Sequence, residues 1–247
     1  MQATFRFYAG LNHFLPPEQR QVDVVHVHDE RASVKDRIEA LGVPHTEVAL
    51  ILVNGEPVDF SYLVDDGDRV SVYPPFHTLD ITALNHVTPP PLPEARFVLD
   101  THLGKLAAYL RLLGFDTLYR NDYPDDELAR VSDEENRIVL TRDRGVLKRS
   151  RVRHGYYVRA TDPRQQIVEL LRHYGLFEAV RPFRRCMRCN GLLEPVEKAA
   201  VYDELLPGTR EYHDEFYRCQ DCGQLYWPGA HFEQLQAFIA GVLAQGA

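Results

Sequence analysis

All four cysteines of the chain fall into two Cys-x2-Cys pairs, Cys186/Cys189 and Cys219/Cys222, with 29 residues between the pairs. Two residues between thiols let both sulfurs approach one tetrahedral ion from a tight turn. Asn190-Gly191 and Gly223 follow the pairs, where such turns need small or left-handed residues. Four thiolates fill a tetrahedral coordination sphere and leave no position for a catalytic water, so the pattern predicts one structural Zn2+. The spacer is long for such a site, but lengthening a loop costs little. A redox reading suits one Cys-x-x-Cys pair and accounts poorly for two. His231 lies near the second pair; since four sulfurs suffice, it is expected to pack or face solvent rather than ligate. With no cysteine elsewhere, the chain fits a reducing compartment better than a disulfide framework.

The remaining composition is that of a soluble globular protein, 45% hydrophobic and 26% charged, which excludes a disordered or fibrous chain. No apolar run approaches the roughly 20 residues that span a bilayer. The opening MQATFRFYAG alternates and lacks the long apolar core of a secretion signal. A cytoplasmic location and no membrane partner are expected. The net charge of -8 is unevenly spread: residues 1–95 hold 6 Lys+Arg against 14 Asp+Glu, whereas residues 140–190 hold 13 basic against 4 acidic. A polyanion would sense that basic stretch more than the total charge.

Alternation in residues 3–8 (ATFRFY) and 22–28 (VDVVHVH) predicts two strands, joined by a loop carrying Pro16 and Pro17. Ser33 then caps a helix of about nine residues with Val34, Ile38 and Leu41 on one face and Gly42 at its end. VALILVNG reads as a buried strand closed by an Asn54-Gly55 turn, and Val70–Tyr73 as a last strand after Asp66-Gly67. This ββαβ…β order is that of a β-grasp. VTPPPLPEA (residues 87–95), with four prolines, reads as a semi-rigid linker. Beyond it strand and helix alternate: Arg96–Asp100, a helix through Leu103, Leu106, Leu110 and Leu113, Phe115–Tyr119, a helix from Asp125, Ile138–Thr141, a basic helix at Arg144–Arg149, Tyr156–Arg159, and a helix opened by Pro163. Such alternation predicts an α/β fold with a mainly parallel sheet covered on both sides.

In a parallel sheet, functional groups gather at the carboxyl ends of strands. Asp100 ends RFVLD, Asp143 lies just beyond IVLT, and Asp125 opens the helix after the second strand. Clustered carboxylates repel unless a cation neutralises them, and hard divalent ions such as Mg2+ or Mn2+ are their natural partner. Two such ions can polarise a phosphodiester and supply hydroxide. Each acid can equally serve as a helix cap, and both readings stay open at this point. Arg142, Arg144, Lys148 and Arg149 flank Asp143, and Arg184 and Arg185 precede the first cysteine pair. They are candidate RNA phosphate contacts, or a solvated charged face. Tyr156, Tyr157, Tyr217, Tyr226 and Trp227 are packing residues or base-stacking platforms.

RFVLDTHLGKLAAYLRLLGFDTLYRND, then DDELARVSDEENRIVLTRDRGVLKR, then PFRRCMRCNGLLEPV and EFYRCQDCGQLYWPGAH together resemble the PIN-like ribonuclease domain of the Mut-seven C-terminal family with its zinc ribbon. The likeness runs over about residues 96–232. The module in front resembles the ubiquitin-like domain fused to that family, and its strand–NG–strand and DGDRVSVYPP segments are similar to the ThiS and MoaD sulfur carriers. Those carriers need a free Gly-Gly end; here Pro74-Pro75-Phe76 follows and the chain continues, so sulfur-carrier chemistry is not expected. The resemblance implies an acidic metal site at Asp100, Asp125 (Asp126 competing in register) and Asp143, with Asp122 or Asp162 as a fourth acid.

The expected organisation is a ubiquitin-like β-grasp domain over 1–80, a Pro-rich linker over 81–95, a PIN-like α/β/α domain over 96–180, a zinc ribbon over 181–232 and a C-terminal helix over 233–247. The expected function is a metal-dependent ribonuclease, with the β-grasp module regulating it or recruiting a protein partner. The alternative is a non-catalytic RNA-binding or adaptor protein associated with the translation machinery.

Overall fold

The computed structural model describes residues 1–76 and 80–246. Residues 77–79, at the end of the expected β-grasp module, and Ala247, at the end of the expected C-terminal helix, lie outside the described residues. The chain divides into two compact units: Met1–Pro93 with Asp125–Tyr157, and Glu94–Pro124 with Val158–Ala247.

Along the chain the first part holds strands β1 (Gln2–Phe7) and β2 (Val24–Val27), helix α1 (Val34–Ala40), and strands β3 (Leu50–Val53), β4 (Glu56–Pro57) and β5 (Arg69–Tyr73). Next come β6 (Phe97–Leu99), α2 (Gly104–Leu112), β7 (Thr117–Tyr119), α3 (Asp125–Glu135), β8 (Ile138–Thr141), α4 (Arg144–Leu147), β9 (Gly155–Tyr157) and α5 (Pro163–Tyr174). The last part holds β10 (Leu193–Val196), α6 (Lys198–Val201), α7 (Pro207–Tyr212), β11 (Phe216–Cys219), β12 (Leu225–Tyr226) and α8 (Ala230–Leu243).

In the first unit the strands run in the order β2-β1-β5-β3-β4. β1 pairs antiparallel with β2 and parallel with β5, and β3 pairs antiparallel with β5 and β4. This is the β-grasp read from the alternation. Ala3, Phe5 and Phe7 of β1 point inward onto Val34 and Ile38 of α1, because strand side chains alternate in direction. Ser33 caps α1, its Oγ accepting from the Asp36 N–H at 3.1 Å. The Asn54-Gly55 turn has φ of +51° and +94°, the left-handed pair a tight hairpin requires. The helix spans seven residues rather than nine, since Leu41 already leaves it. The segment between β1 and β2 is not plain loop: it forms 3-10 turns at Ala9–Phe14 and Pro17–Gln19, the first burying Leu11 and Phe14. The proline-rich stretch is anchored as well, because Val87 joins the β-grasp core.

Residues 125–157 pack within this same unit. Leu128 and Val131 of α3 are buried, β8 is buried throughout, and β8 and β9 pair in parallel (Val139↔Gly155, Thr141↔Tyr157). Tyr157 lies edge-on to Phe14, with ring centroids 5.2 Å apart, and packs against the β-grasp core. β9 begins and ends earlier than the alternation suggested. Gly155 opens it, where a Cβ would sit 2.6 Å from Leu147 Cδ2.

In the second unit β6 and β7 are parallel (Phe97↔Thr117, Leu99↔Tyr119), so the chain is mixed α/β with parallel strands as expected. β7 starts at Thr117 rather than Phe115 because Gly114 (φ +95°) turns the chain against the Arg181 carbonyl, which a Cβ would meet at 2.1 Å. Asp162 caps α5, accepting from the Arg164 and Gln165 N–H groups at 2.9 and 3.1 Å. Gly175 (φ +64°) closes that helix. β10, β11 and β12 form an antiparallel three-stranded ribbon (Leu193↔Cys219, Tyr217↔Tyr226) over a small core of Val201, Leu205 and Phe216. The C-terminal helix α8 packs Phe232 on Phe183 and Phe238 on Tyr109, with centroids 4.8 and 4.4 Å apart.

Candidate functional site

Each predicted acid sits at a place the local backbone dictates. Asp100 directly follows β6, and its Oδ1 accepts from the Thr101 N–H at 2.6 Å, capping a 3-10 turn at Thr101–Leu103. Asp143 lies two residues past β8, and its Oδ1 accepts from the Gly145 N–H at 2.6 Å while its own N–H donates to Thr141 Oγ1 at 2.9 Å. Asp125 and Asp126 both lie in the first turn of α3, where carboxylates complement the helix dipole. Arg149 bridges them, with Nη2 3.3 Å from Asp125 Oδ2 and Nη1 on Asp126. The first unit thus brings Asp125 and Asp126 together through one guanidinium. Of the fourth-acid candidates, Asp162 is a helix cap and Asp122 is an exposed partner of Arg120 at 3.1 Å.

The two cysteine pairs, whose first members lie 33 residues apart in sequence, converge: the four sulfurs all lie within 4.8 Å of one another. Cys186 Sγ is 3.7 Å from Cys222 Sγ, and Cys189 Sγ is 3.3 Å from Cys219 Sγ. Thiolates held tetrahedrally at about 2.3 Å from an ion sit roughly 3.8 Å apart, so the cluster can hold one metal ion. All four thiols are free. Each pair is a turn in which the N–H after the second cysteine returns to the first: Asn190 N–H to Cys186 O at 2.9 Å, Gly223 N–H to Cys219 O at 3.0 Å. Both donors have positive φ, +81° and +72°. Gly191 has no room for a Cβ, which would lie 2.8 Å from Cys219 Sγ. His231 is exposed and stands outside the cluster.

Burial raises Cys186, but the Tyr226 hydroxyl, 3.1 Å away, and the Cys189 and Arg188 N–H groups outweigh it and hold the thiol at about 7. Burial, reinforced by the neighbouring thiols, pushes Cys189 up to about 12. A cation on the sulfurs removes that conflict, because coordinated thiols are deprotonated outright. The sequence reasoning missed Arg111. This buried side chain donates from Nη1 to the Met187 and Arg188 carbonyls at 3.1 and 3.0 Å, and from Nε to Thr117 O at 2.9 Å. Burial pushes its guanidinium down, while Cys189, Cys186 and Asp116 oppose that shift. It therefore ties the first cysteine turn to β7. An arginine on the buried side of a leucine-rich helix, three residues before the Gly114 break, was the available signal.

Two family models match the chain, one described as Mut7-C RNAse domain over residues 95–239 and one described as Mut7-C ubiquitin over residues 1–80. The chain belongs to the Mut7-C RNAse domain family. Among solved structures, "Crystal structure of SAMP1 from Haloferax volcanii" is similar at 21% identity, covering 31% of this chain and 97% of that one, with a TM-score of 0.25. A search of curated proteins gave no match.

The Mut7-C RNAse match contains the three acids, the four cysteines and all six basic candidates. Several of those bases already have partners. Arg144 Nη1 donates to Phe14 O at 2.7 Å and Lys148 Nζ to Glu39 O at 2.5 Å, both carbonyls of the Mut7-C ubiquitin module. Arg149 holds Asp125 and Asp126, and Arg185 donates to Asn190 O at 3.0 Å. Arg142 is half-buried, and Arg184 is exposed. Among the aromatics, Tyr156 is buried, Tyr157 packs on the β-grasp core and Tyr226 meets Cys186. Trp227 and Tyr217 of the Mut7-C ribbon remain open to solvent, at 38% and 39% exposure. No helix among the described residues is long and apolar enough to cross a membrane.

Proposed function

We propose that the chain is a metal-dependent ribonuclease in which Asp100, Asp125 and Asp143 hold Mg2+ or Mn2+. The observation that carries the reading is the match of residues 95–239 to a ribonuclease domain. Supporting it, Asp100 and Asp143 each follow a strand of a parallel pair at its carboxyl end, where open α/β folds gather functional groups. Such an ion supplies an activated water and neutralises charge on the scissile phosphate. The chain's own residues would orient it: the Thr101 and Gly145 N–H groups each fix one oxygen of Asp100 and Asp143, so the carboxylates cannot rotate freely. Arg149, bound to Asp125 and Asp126, would balance their charge. Arg142 and the exposed Arg184 would attract the RNA backbone, and Arg144, Lys148 and Arg185 would add positive charge from their carbonyl-bound positions. The cysteine cluster would hold Zn2+ as a structural ion, since four thiolates suit it and leave no open position. Four free thiols also favour a reducing compartment such as the cytoplasm.

The test is cleavage of end-labelled single-stranded RNA with Mg2+ or Mn2+, comparing wild type with Asp100→Asn and Asp143→Asn. A fall of at least a hundredfold in both variants is expected; equal rates in all three proteins would sink the reading. The alternative, a non-catalytic RNA-binding or adaptor protein, is favoured by the capping bonds of Asp100 and Asp143, which by themselves account for these residues structurally. Binding that persists in EDTA without cleavage under either metal would select it. The ubiquitin-like module would serve as the protein-recruiting or regulatory element.

A further inference from the structure

A cavity of about 650 Å3 opens between the Mut7-C ribbon and α8, in the second unit. Its apolar lining is Phe183, Tyr217, Leu225, Trp227, Phe232 and Leu235. Its volume lies within the range of pockets that bury a small ligand, roughly 300–1,000 Å3. It is partly open to solvent rather than sealed in a core, since Trp227 and Tyr217 retain more than a third of their exposure. Two polar side chains on its wall, Glu215 and His231, are exposed and carry no hydrogen bond or ion pair among the described residues. Gly229 lets the indole lie across the backbone: a Cβ there would sit 2.9 Å from Trp227 Nε1. The indole therefore depends on a residue without a side chain for its place.

The charge beside the cavity narrows its occupant. Residues 181–190 contain four arginines and no acid. Arg185 lines the cavity, and the Arg184 and Arg188 side chains next to it are exposed. Apolar aromatic walls, a few unpaired polar groups and an adjoining arginine cluster are the parts that hold a single strand: rings stack on bases, and cations track phosphates. An apolar peptide would use the rings but gain nothing from the arginines.

We propose that this cavity binds a base of a single-stranded RNA, stacked on Trp227, with Glu215 and His231 facing the base edge and Arg184 and Arg188 the backbone phosphates. The proposal rests on the reading of the chain as an RNA-acting protein and assigns a binding site separate from the three acids.

Trp227 is the one tryptophan in the chain, so its emission reports on the cavity directly. The experiment titrates the full chain, zinc-loaded, with uncleavable 2′-O-methyl decauridine and with an abasic decamer of the same backbone. Decauridine is expected to quench emission at least twofold and the abasic strand to leave it nearly unchanged. By anisotropy of labelled decauridine, Trp227→Leu and Gly229→Ala should each bind on the order of tenfold more weakly, while retaining one metal ion per chain. Equal quenching by both strands, or binding with no change in Trp227 emission, overturns the assignment, as does failure of both strands to bind. Cleavage assays on Asp100→Asn run alongside report on the ribonuclease reading alone: a chain that quenches but does not cleave keeps the cavity and loses the nuclease.

Discussion

The backbone N–H of Tyr157 donates to the Glu47 carboxylate at 2.7 Å, across 110 residues of chain. Glu47 is only 4% exposed, and buried charge persists only where it is well paired. Nearby, His45 Nε2 meets Val152 O at 3.0 Å, and its Nδ1 meets Glu39 at 2.7 Å. These bonds fasten residues 125–157 to the ubiquitin-like module, so that module is part of the unit carrying Asp125 and Asp143.

Removing the Glu47 acceptor takes this carboxylate away from the partly buried Tyr157 N–H. Glu47→Ala is expected to cost about 1–3 kcal/mol, and Glu47→Gln, which keeps an oxygen in place, less. Urea unfolding measures both. Equal stability of wild type and Glu47→Ala would show that the bond carries no weight.

The cysteine cluster is expected to set the stability of the ribbon. Cys189→Ser should drop bound metal from one ion per chain to none, measured by atomic absorption, and open the segment between the pairs to limited proteolysis. Chelation of the wild type should do the same, because metal binding and folding are one equilibrium in such sites. A resistant ribbon in the metal-free protein would contradict this.

Arg111→Met removes two hydrogen bonds at the first cysteine turn and one to Thr117 of β7. A loss on the order of 3 kcal/mol is expected, since carbonyls lose a charged donor in a buried place. Arg111→Lys should rescue little, because one ammonium cannot reproduce the planar fork. Metal retention at rising chelator concentration is the readout, and wild-type retention by both variants would refute it.

Caps and ligands separate by charge. Asn caps helices about as well as Asp, so Asp143→Asn should leave the melting temperature within about a degree while cleavage falls at least a hundredfold. Asp162→Ala should do the reverse, costing about 1 kcal/mol with cleavage retained. Loss of cleavage in Asp162→Ala would instead make it the fourth acid.

Acid should weaken the first unit. His154 is held below its ordinary 6.5 by burial and then by Arg153; His26 is held below it by burial, then by Arg37 and His28. The unfolded chain therefore binds more protons than the fold just below that value. Stability from these groups is complete above about pH 6.5 and drains away as pH falls through their lower folded values. Melting temperatures should fall between about pH 7 and pH 5, with a shallower slope in His154→Gln. An unchanged slope in that variant would exclude His154 as a source.

Much of this protein was determined by sequence because the physics involved is local. Two residues between thiols make a metal turn wherever the turn lies, so Cys186, Cys189, Cys219 and Cys222 declared their site. Alternation in ATFRFY and the Asn54-Gly55 pair set the β-grasp, since side-chain direction and left-handed φ act within a few residues. The partners of the basic stretch were decided by tertiary structure alone. Charge counting treats Arg144 and Lys148 as open to any polyanion, yet they donate to carbonyls 130 and 109 residues away in sequence. Arg111 was equally hidden, its acceptors at Met187 and Arg188 lying 76 and 77 residues on. Periodicity records which way a side chain points from its own element; what it meets there depends on how distant segments pack.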